Sequence, residues 1–319
     1  MGKNKPMDGN LAASITKTAS KQTYYIIRFL VDRERVDDAY RSYAYFRWVD
    51  DVLDSDLDSR TDPKAGAAQR KAFLERQISL LECCYRRRTP HDVCPQEQML
   101  VELVGRDAET ESGLQSYLRN MMRVMEFDVE RRGRWITQAE LDEYTRWLAV
   151  AVTENMHHFI GHNGFAPRDE SRYLAVSAAH IAHMIRDTYD DVRSGYFNIP
   201  REVLEAHSIR PQDVDSAAYR AWVKSRANLA RRYFSAGKDY FRQIQNRRHR
   251  LAGFAYMARF EWLLETIERE GYALRPRYRE RKTLGTGIRM GWLTLSSLVG
   301  GNGAGSVPFP VASQREGKA

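Results

Sequence analysis

Residues 43–54 read Tyr43-Ala-Tyr-Phe-Arg-Trp-Val-Asp-Asp-Val-Leu-Asp54, an apolar and aromatic run that ends in aspartates. Its composition predicts a largely buried helix. On that helix Asp50 and Asp54 stand one turn apart on one face and form a carboxylate claw. Further along, Met184-Ile-Arg-Asp-Thr-Tyr-Asp-Asp191 repeats the spacing with Asp187 and Asp191, after an apolar approach through Ala178, Ala179, Ile181, Ala182, Met184 and Ile185. Each claw is introduced by an arginine, Arg47 or Arg186. Carboxylates entering a buried helix need a cation, an arginine or solvent beside them. Taken alone, Asp50, Asp51, Asp54, Asp56 and Asp58 also read as a solvated helix end. Recurrence of the same pattern argues against that. Two claws facing across a helical bundle would hold hard divalent ions and leave coordination positions for diphosphate oxygens. The chemistry this favours is ionisation of a diphosphate ester.

Outward from the claws, helix signals continue and strand signals are scarce. Tyr117–Glu130, Gln138–Ile160, Tyr173–Val192, Ala217–Gln245 and Gly253–Glu270 carry apolar residues at three- and four-residue spacing. Pro167, Pro200 and Pro211 fall between these segments, where helix breakers belong. The fold class is therefore all-α. No Pro/Gly/Ser-rich linker interrupts the interior of the 319 residues, so residues 20–299 read as one helical domain. Residues 1–19 and 300–319 read as flexible tails.

The net charge of +8 comes with basic clusters at Arg86–Arg88, Arg131-Arg132, Arg231-Arg232, Arg247–Arg250 and Arg275–Lys282. Each reads most simply as a solvated helix face. A basic surface also suits anionic lipid or a polyphosphate substrate. No nucleic-acid motif or stacking-aromatic pattern accompanies the charge, so nucleic acid is not expected as a partner. Three cysteines without zinc spacing fit a reducing cytoplasm. No secretory signal and no apolar run of about 18 residues is present. Gly287–Val299, moderately apolar after a basic stretch, reads as a last helix packed on the bundle or as a peripheral membrane contact.

These residues together resemble the squalene/phytoene synthase family. Ser20-Lys-Gln-Thr-Tyr24 is similar to the family's Ser-Lys-Ser-Phe segment, and Tyr43 to Asp54 to its Tyr-Ala-x-Cys-Arg-x-x-Asp-Asp-x-x-Asp motif, with Phe46 in place of cysteine. Glu126-Phe-Asp128 with Thr137 to Tyr144 is similar to a stretch Asp…Thr…Glu-Leu…Tyr. Arg186-Asp-Thr-Tyr-Asp-Asp191, ending at Pro200, resembles Arg-Asp-x-x-Glu-Asp…Tyr-Leu-Pro. The resemblance implies an isoprenoid synthase fold around a central cavity. It implies that Asp50, Asp54, Asp187 and Asp191 bind Mg²⁺, and that Arg47, Arg186, Ser20 and Lys21 meet the diphosphate. Tyr43 would line the cavity. The implied reaction joins two prenyl diphosphates, farnesyl or geranylgeranyl, head-to-head with release of diphosphate. NADPH is used by some members and not by others.

The pattern also breaks. His180 and His183 occupy positions where the family usually has Gln and Asn, so His183 is a candidate ligand for the second metal position, although Mg²⁺ prefers oxygen. Gly195-Tyr-Phe-Asn-Ile-Pro200 replaces Gly-Arg-x-Tyr-Leu-Pro. Thr153-Glu154-Asn155 stands where small residues are usual, and Glu154 reads as a general base or as a partner of nearby histidines. Met121, Met122, Met125 and Phe127 read as core, or as the wall of an apolar pocket shielding an allylic cation. Two further readings follow: cyclisation or capture of a single prenyl diphosphate, motivated by Glu154, His180 and His183, and a noncatalytic relative of the same fold.

Overall fold

Ser20, Ser112, Thr137, Ser216 and Asn246 each have extended backbone, and each side chain accepts a hydrogen bond from the N–H three residues on. A polar side chain thereby replaces the missing partner of a first-turn donor. These residues start five of the eleven α-helices in the computed structural model, which describes residues 8–54, 63–88, 90–162 and 164–278. In chain order the helices are α1 (Asp8–Ala19), α2 (Lys21–Leu30), α3 (Val36–Asp54), α4 (Pro63–Tyr85), α5 (Pro95–Gly105) and α6 (Gly113–Arg131). They continue with α7 (Gln138–Phe159), α8 (Leu174–Ser194), α9 (Arg201–His207), α10 (Ala217–Gln243) and α11 (Arg247–Arg269). No strand occurs among the described residues, and none of their helices is long and apolar enough to cross a membrane.

The five periodic segments of the sequence fall on α6, α7, α8, α10 and α11. Helix α11 starts earlier than its apolar period, because Arg247-Arg-His-Arg250 hides the pattern while His249 is in fact buried. Residues 1–19, read as a loose start, need correction. From Asp8 they form α1, which lays Ala12 and Thr16, one turn apart, against the rest of the fold beside α3. So few apolar residues in a polar stretch leave little pattern to read. Gly287–Val299 and the tail at 300–319 lie outside the described residues.

Buried side chains form two cores. One gathers α1 to α3 with parts of α4, α5 and α6; the other is built mainly on α8, α10 and α11. Helices α6 and α7 contribute to both: Leu118 and Met122 of α6 enter the first, Val124 and Phe127 the second. Where α10 crosses α8 the backbones nearly touch. A Cβ on Gly237 would lie 2.7 Å from the Cβ of Ala175 and 2.9 Å from its Cα and N. The first claw thus belongs to a helix of one core and the second claw to a helix of the other.

Candidate active site

Helix α8 ends at Ser194, so Asp191 of the second claw stands in its last turn. Unpaired carbonyls make such turns partly negative, which disfavours carboxylates there. Asp50, Asp54, Asp187 and Asp191 nevertheless line one polar cavity of about 420 Å³, together with Asp128, Arg70, Arg131, Arg132, Tyr144, His180, His183 and Asn198. Burial and the neighbouring Asp54 push the Asp50 carboxyl up to about 6. Burial and Asp187 push Asp191 up to about 7. Burial would raise Asp187 too, but bonds from Arg186 and His183 outweigh it and hold its carboxyl well below the usual range. Each claw presents two carboxylates, so an ion there would complete its shell with water or ligand oxygens.

One wall of this cavity is a hydrogen-bonded chain. Tyr144 Oη donates to Asp128 Oδ2 at 3.0 Å, and Arg131 Nε donates to Asp128 Oδ1 at 2.6 Å. Arg131 Nη1 donates to Asn198 Oδ1 at 2.8 Å, and Asn198 Nδ2 donates to Asp191 Oδ2 at 2.7 Å. The guanidinium also lies over the rings of Tyr144 and Tyr196, at 4.8 and 5.0 Å. Local sequence sets this up. Thr137 and Glu140 cap α7 reciprocally, Leu141 is fully buried, and Tyr144 follows one turn after Glu140. Gly195 ends α8 at φ +84°, a left-handed conformation that glycine adopts without strain, and its carbonyl accepts from Gly133 N–H at 2.7 Å. The chain turns back there and carries Asn198 to Asp191.

A second cavity, of about 470 Å³, is mostly apolar. Tyr43, Phe46, Tyr117, Met121, Leu148, Val152, Met156, Ile160, Ala252 and Tyr256 line it. Asp50 and Met125 line both cavities, so the polar and apolar spaces meet at the first claw. The methionine run divides. Met121 lines the apolar cavity and Met125, a buried core residue, lines both cavities, whereas Met122 and Phe127 are core alone.

The family model for squalene/phytoene synthase matches residues 16–285. The chain belongs to the squalene/phytoene synthase family. Members of this family are prenyl transferases, and the helical architecture is their isoprenoid synthase fold. Among solved structures, squalene synthase HpnC from Alicyclobacillus acidocaldarius superposes with a TM-score of 0.65 at 18% identity, covering 84% of this chain and 95% of that one. A dehydrosqualene synthase in complex with ligand gives 0.64 at 18% identity, covering 91% of this chain and 95% of that one. Comparison with curated protein sequences gives no significant match.

Within the family motifs, the structure brings some expected residues together and leaves others apart. Tyr43 and Arg47 line the apolar cavity; Arg47 bonds Asp50 at 3.2 Å and also Asp51. Arg186 is engaged by its neighbour Asp187 and lines a separate crevice with Arg259 and Phe260. Ser20 caps α2 and Lys21 is exposed; neither lines either cavity. His183, half exposed, bonds Asp187 at 2.8 Å. His180 is buried edge-on to Tyr144, and its Nδ1 has no hydrogen-bond partner among the described residues. Glu154 lines neither cavity. It accepts from Arg172 Nη2 at 2.7 Å and Tyr173 Oη at 2.9 Å. Its neighbours are equally occupied: His157 meets Tyr240 Oη at 2.8 Å, and His158 meets Arg35 at 2.7 Å.

Sequence reasoning missed Arg70 and Arg131. Arg131 was grouped with Arg132 as a solvated pair, yet it is 6% exposed. The available signal was Asp128, one turn before Arg131 on a helix whose neighbours Phe127 and Val124 are core.

Proposed function

We propose that this chain joins two prenyl diphosphates head-to-head and releases diphosphate, with Mg²⁺ held by Asp50 and Asp54 on one side and Asp187 and Asp191 on the other. The observation that carries this reading is the junction of the two cavities: a diphosphate head at the claws leaves its isoprenoid tail the apolar space that begins at Asp50 and Met125. The donor set fits a hard cation, since it offers carboxylate oxygens in pairs and leaves positions for the diphosphate. When bound, Mg²⁺ neutralises negative charge developing on the departing diphosphate.

The protein's own residues do the rest. Asn198 and Arg131 hold Asp191 toward the cavity, and His183 orients Asp187 as a hydrogen-bonding partner. Phe46, Tyr43, Tyr117 and Tyr256 present aromatic rings to the space where an allylic cation would sit, excluding water and offering π-faces to positive charge.

A second reading has one observation in its favour. Asn155 Oδ1 is buried in the wall of the apolar cavity without a hydrogen-bond partner among the described residues. A polar atom there would suit capture of a cation by water, acting on one prenyl diphosphate or on the coupled intermediate. The deciding experiment supplies farnesyl or geranylgeranyl diphosphate with Mg²⁺, with and without NADPH, and reads released diphosphate and product mass together. A C30 or C40 product supports coupling, and its dependence on NADPH tells whether a reductant is consumed. A single-unit product overturns coupling in favour of cyclisation or capture. No release with any prenyl chain would leave a noncatalytic relative.

The apolar substrates and products also motivate a peripheral membrane contact. Phe29 and Tyr25 on α2 are 69% and 52% exposed and stack on each other, with exposed Lys21, Arg28 and Arg33 nearby. Apolar rings framed by cations match an anionic lipid surface. If so, Phe29→Ser lowers co-sedimentation with phosphatidylserine vesicles; unchanged binding would exclude this face.

A further inference from the structure

Five carboxylates line the claw cavity (Asp50, Asp54, Asp128, Asp187 and Asp191), and the cations that line it are Arg70, Arg131 and Arg132. Arg131 is committed to Asp128 and Asn198. Arg132 is exposed and donates from Nε to the Ser194 carbonyl at 3.2 Å. Arg47 and Arg186, the arginines that introduce the claws, are occupied by their own aspartates. Arg70 differs from all of these. It stands on α4, is 9% exposed, and its Nη1 is buried with no hydrogen-bond partner among the described residues.

A guanidinium does not lose its proton in proteins, so it cannot escape the cost of burial by becoming neutral. A buried donor of such a group that finds no acceptor is therefore costly to keep. A ligand that brings anionic oxygens into the cavity removes that expense. The planar fork of donors suits phosphate geometry, to which it can bond in a bidentate manner.

We infer that Arg70 is a diphosphate-binding residue, supplying from α4 a buried, unbonded Nη1 donor that neither Arg47 nor Arg186 offers to the claw cavity. This rests on the prenyl diphosphate reading above. It places a third helix at the head-group end: α3 and α8 supply carboxylates, and α4 approaches the same diphosphate with a positive charge of its own. The bland alternative is that Arg70 merely offsets the field of the aspartates and stabilises the fold. The two differ in what removal costs. An arginine that only offsets the aspartates costs ligand-free stability and leaves diphosphate affinity unchanged, whereas a diphosphate-binding one costs affinity.

The test is calorimetric titration of inorganic diphosphate with Mg²⁺ into wild type, Arg70→Met and Arg70→Lys, alongside ligand-free thermal melts. Arg70→Met should weaken diphosphate binding roughly 10- to 100-fold, the worth of a charge-assisted hydrogen bond. Arg70→Lys keeps the charge and loses the fork, so its affinity should fall between the two. It also keeps the test valid if Arg70→Met fails to fold. Binding within twofold of wild type in both variants overturns the proposal, as does a lowered ligand-free melting temperature at unchanged affinity. Absence of binding by the wild type overturns the diphosphate reading itself, and Arg70's role with it. A loss confined to the variants isolates Arg70.

Discussion

Replacing Arg131 by methionine tests the hydrogen-bonded wall of the claw cavity most directly. The substitution keeps much of the aliphatic volume and deletes the guanidinium, which is bonded to Asp128 at 2.6 Å and Asn198 at 2.8 Å and packed over two tyrosine rings. Breaking a buried ion pair from one side costs roughly 3–5 kcal/mol, because the remaining charge is stranded. Asp128 keeps its bond from Tyr144, and its side chain is 27% exposed, so the lower end applies: about 3 kcal/mol. Urea unfolding followed by circular dichroism measures this as a shift in midpoint. The double variant Arg131→Met/Asp128→Asn no longer strands a carboxylate, and should recover at least about 1.5 kcal/mol of the loss, a coupling typical of residues in one network. Asp191 loses its ordered support when Asn198 loses Arg131, so turnover should fall even at saturating Mg²⁺. An Arg131→Met midpoint within about 0.5 kcal/mol of wild type, or strict additivity in the cycle, would refute the reasoning.

Three further outcomes are expected. Asp50→Asn and Asp187→Asn should abolish diphosphate release with unchanged far-ultraviolet circular dichroism; metal-free Asp50→Asn should also melt higher at pH 8, where repulsion with Asp54 is removed, and full turnover in either variant would sink the claw reading. Gly237→Ala should destabilise by up to about 2 kcal/mol in urea: overpacking costs roughly 1–3 kcal/mol against a helix-propensity gain near 1, and the obstructing atoms are the Cβ, Cα and N of Ala175, which cannot rotate away. Burial, helped by neighbouring cationic groups, depresses His157 to about 2, His158 to about 3 and His249 to about 4, and holds His180 far below its ordinary value. The unfolded chain therefore binds protons first, so stability present above pH 6.5 is lost on acidification, by about 1 kcal/mol per histidine between pH 6.5 and 5.5. Asp50 and Asp191, raised in the folded state, act with the opposite sign, as do Asp128 and Asp142, which burial also raises; in an Asp50→Asn/Asp191→Asn background the histidine slope should steepen, and an unchanged or flat profile there would contradict neutral burial.

How much of this was legible beforehand depends on where the information sits. The aspartate spacing and its apolar approach are local, so α3, α8 and both claws could be read from the chain. The same holds for α6, α7 and α10, whose apolar faces repeat with helical period. Arg131 and Arg70 were not legible as site residues, because a buried arginine and a solvated one are written with the same letter. Glu154 shows the converse. Its position on the central helix α7 suggested the cavity, but the partners that engage it, Arg172 and Tyr173, come from a 3₁₀ turn whose docking no local pattern encodes. Helix α1 escaped notice because two small side chains are enough to anchor it.

Asp50 and Met125 belong to the walls of both cavities, and this joins two traits that need not otherwise be linked. A bulkier residue at 125 would shorten the space for an isoprenoid tail and crowd the head-group end in the same step. On the proposed reading, product length could not be retuned there without disturbing turnover. Ile160, Ala252 and Tyr256 line only the apolar cavity, out of reach of that constraint. An experimenter, or natural selection, seeking a different carbon count would find independent adjustment at those positions and a trade-off at Met125.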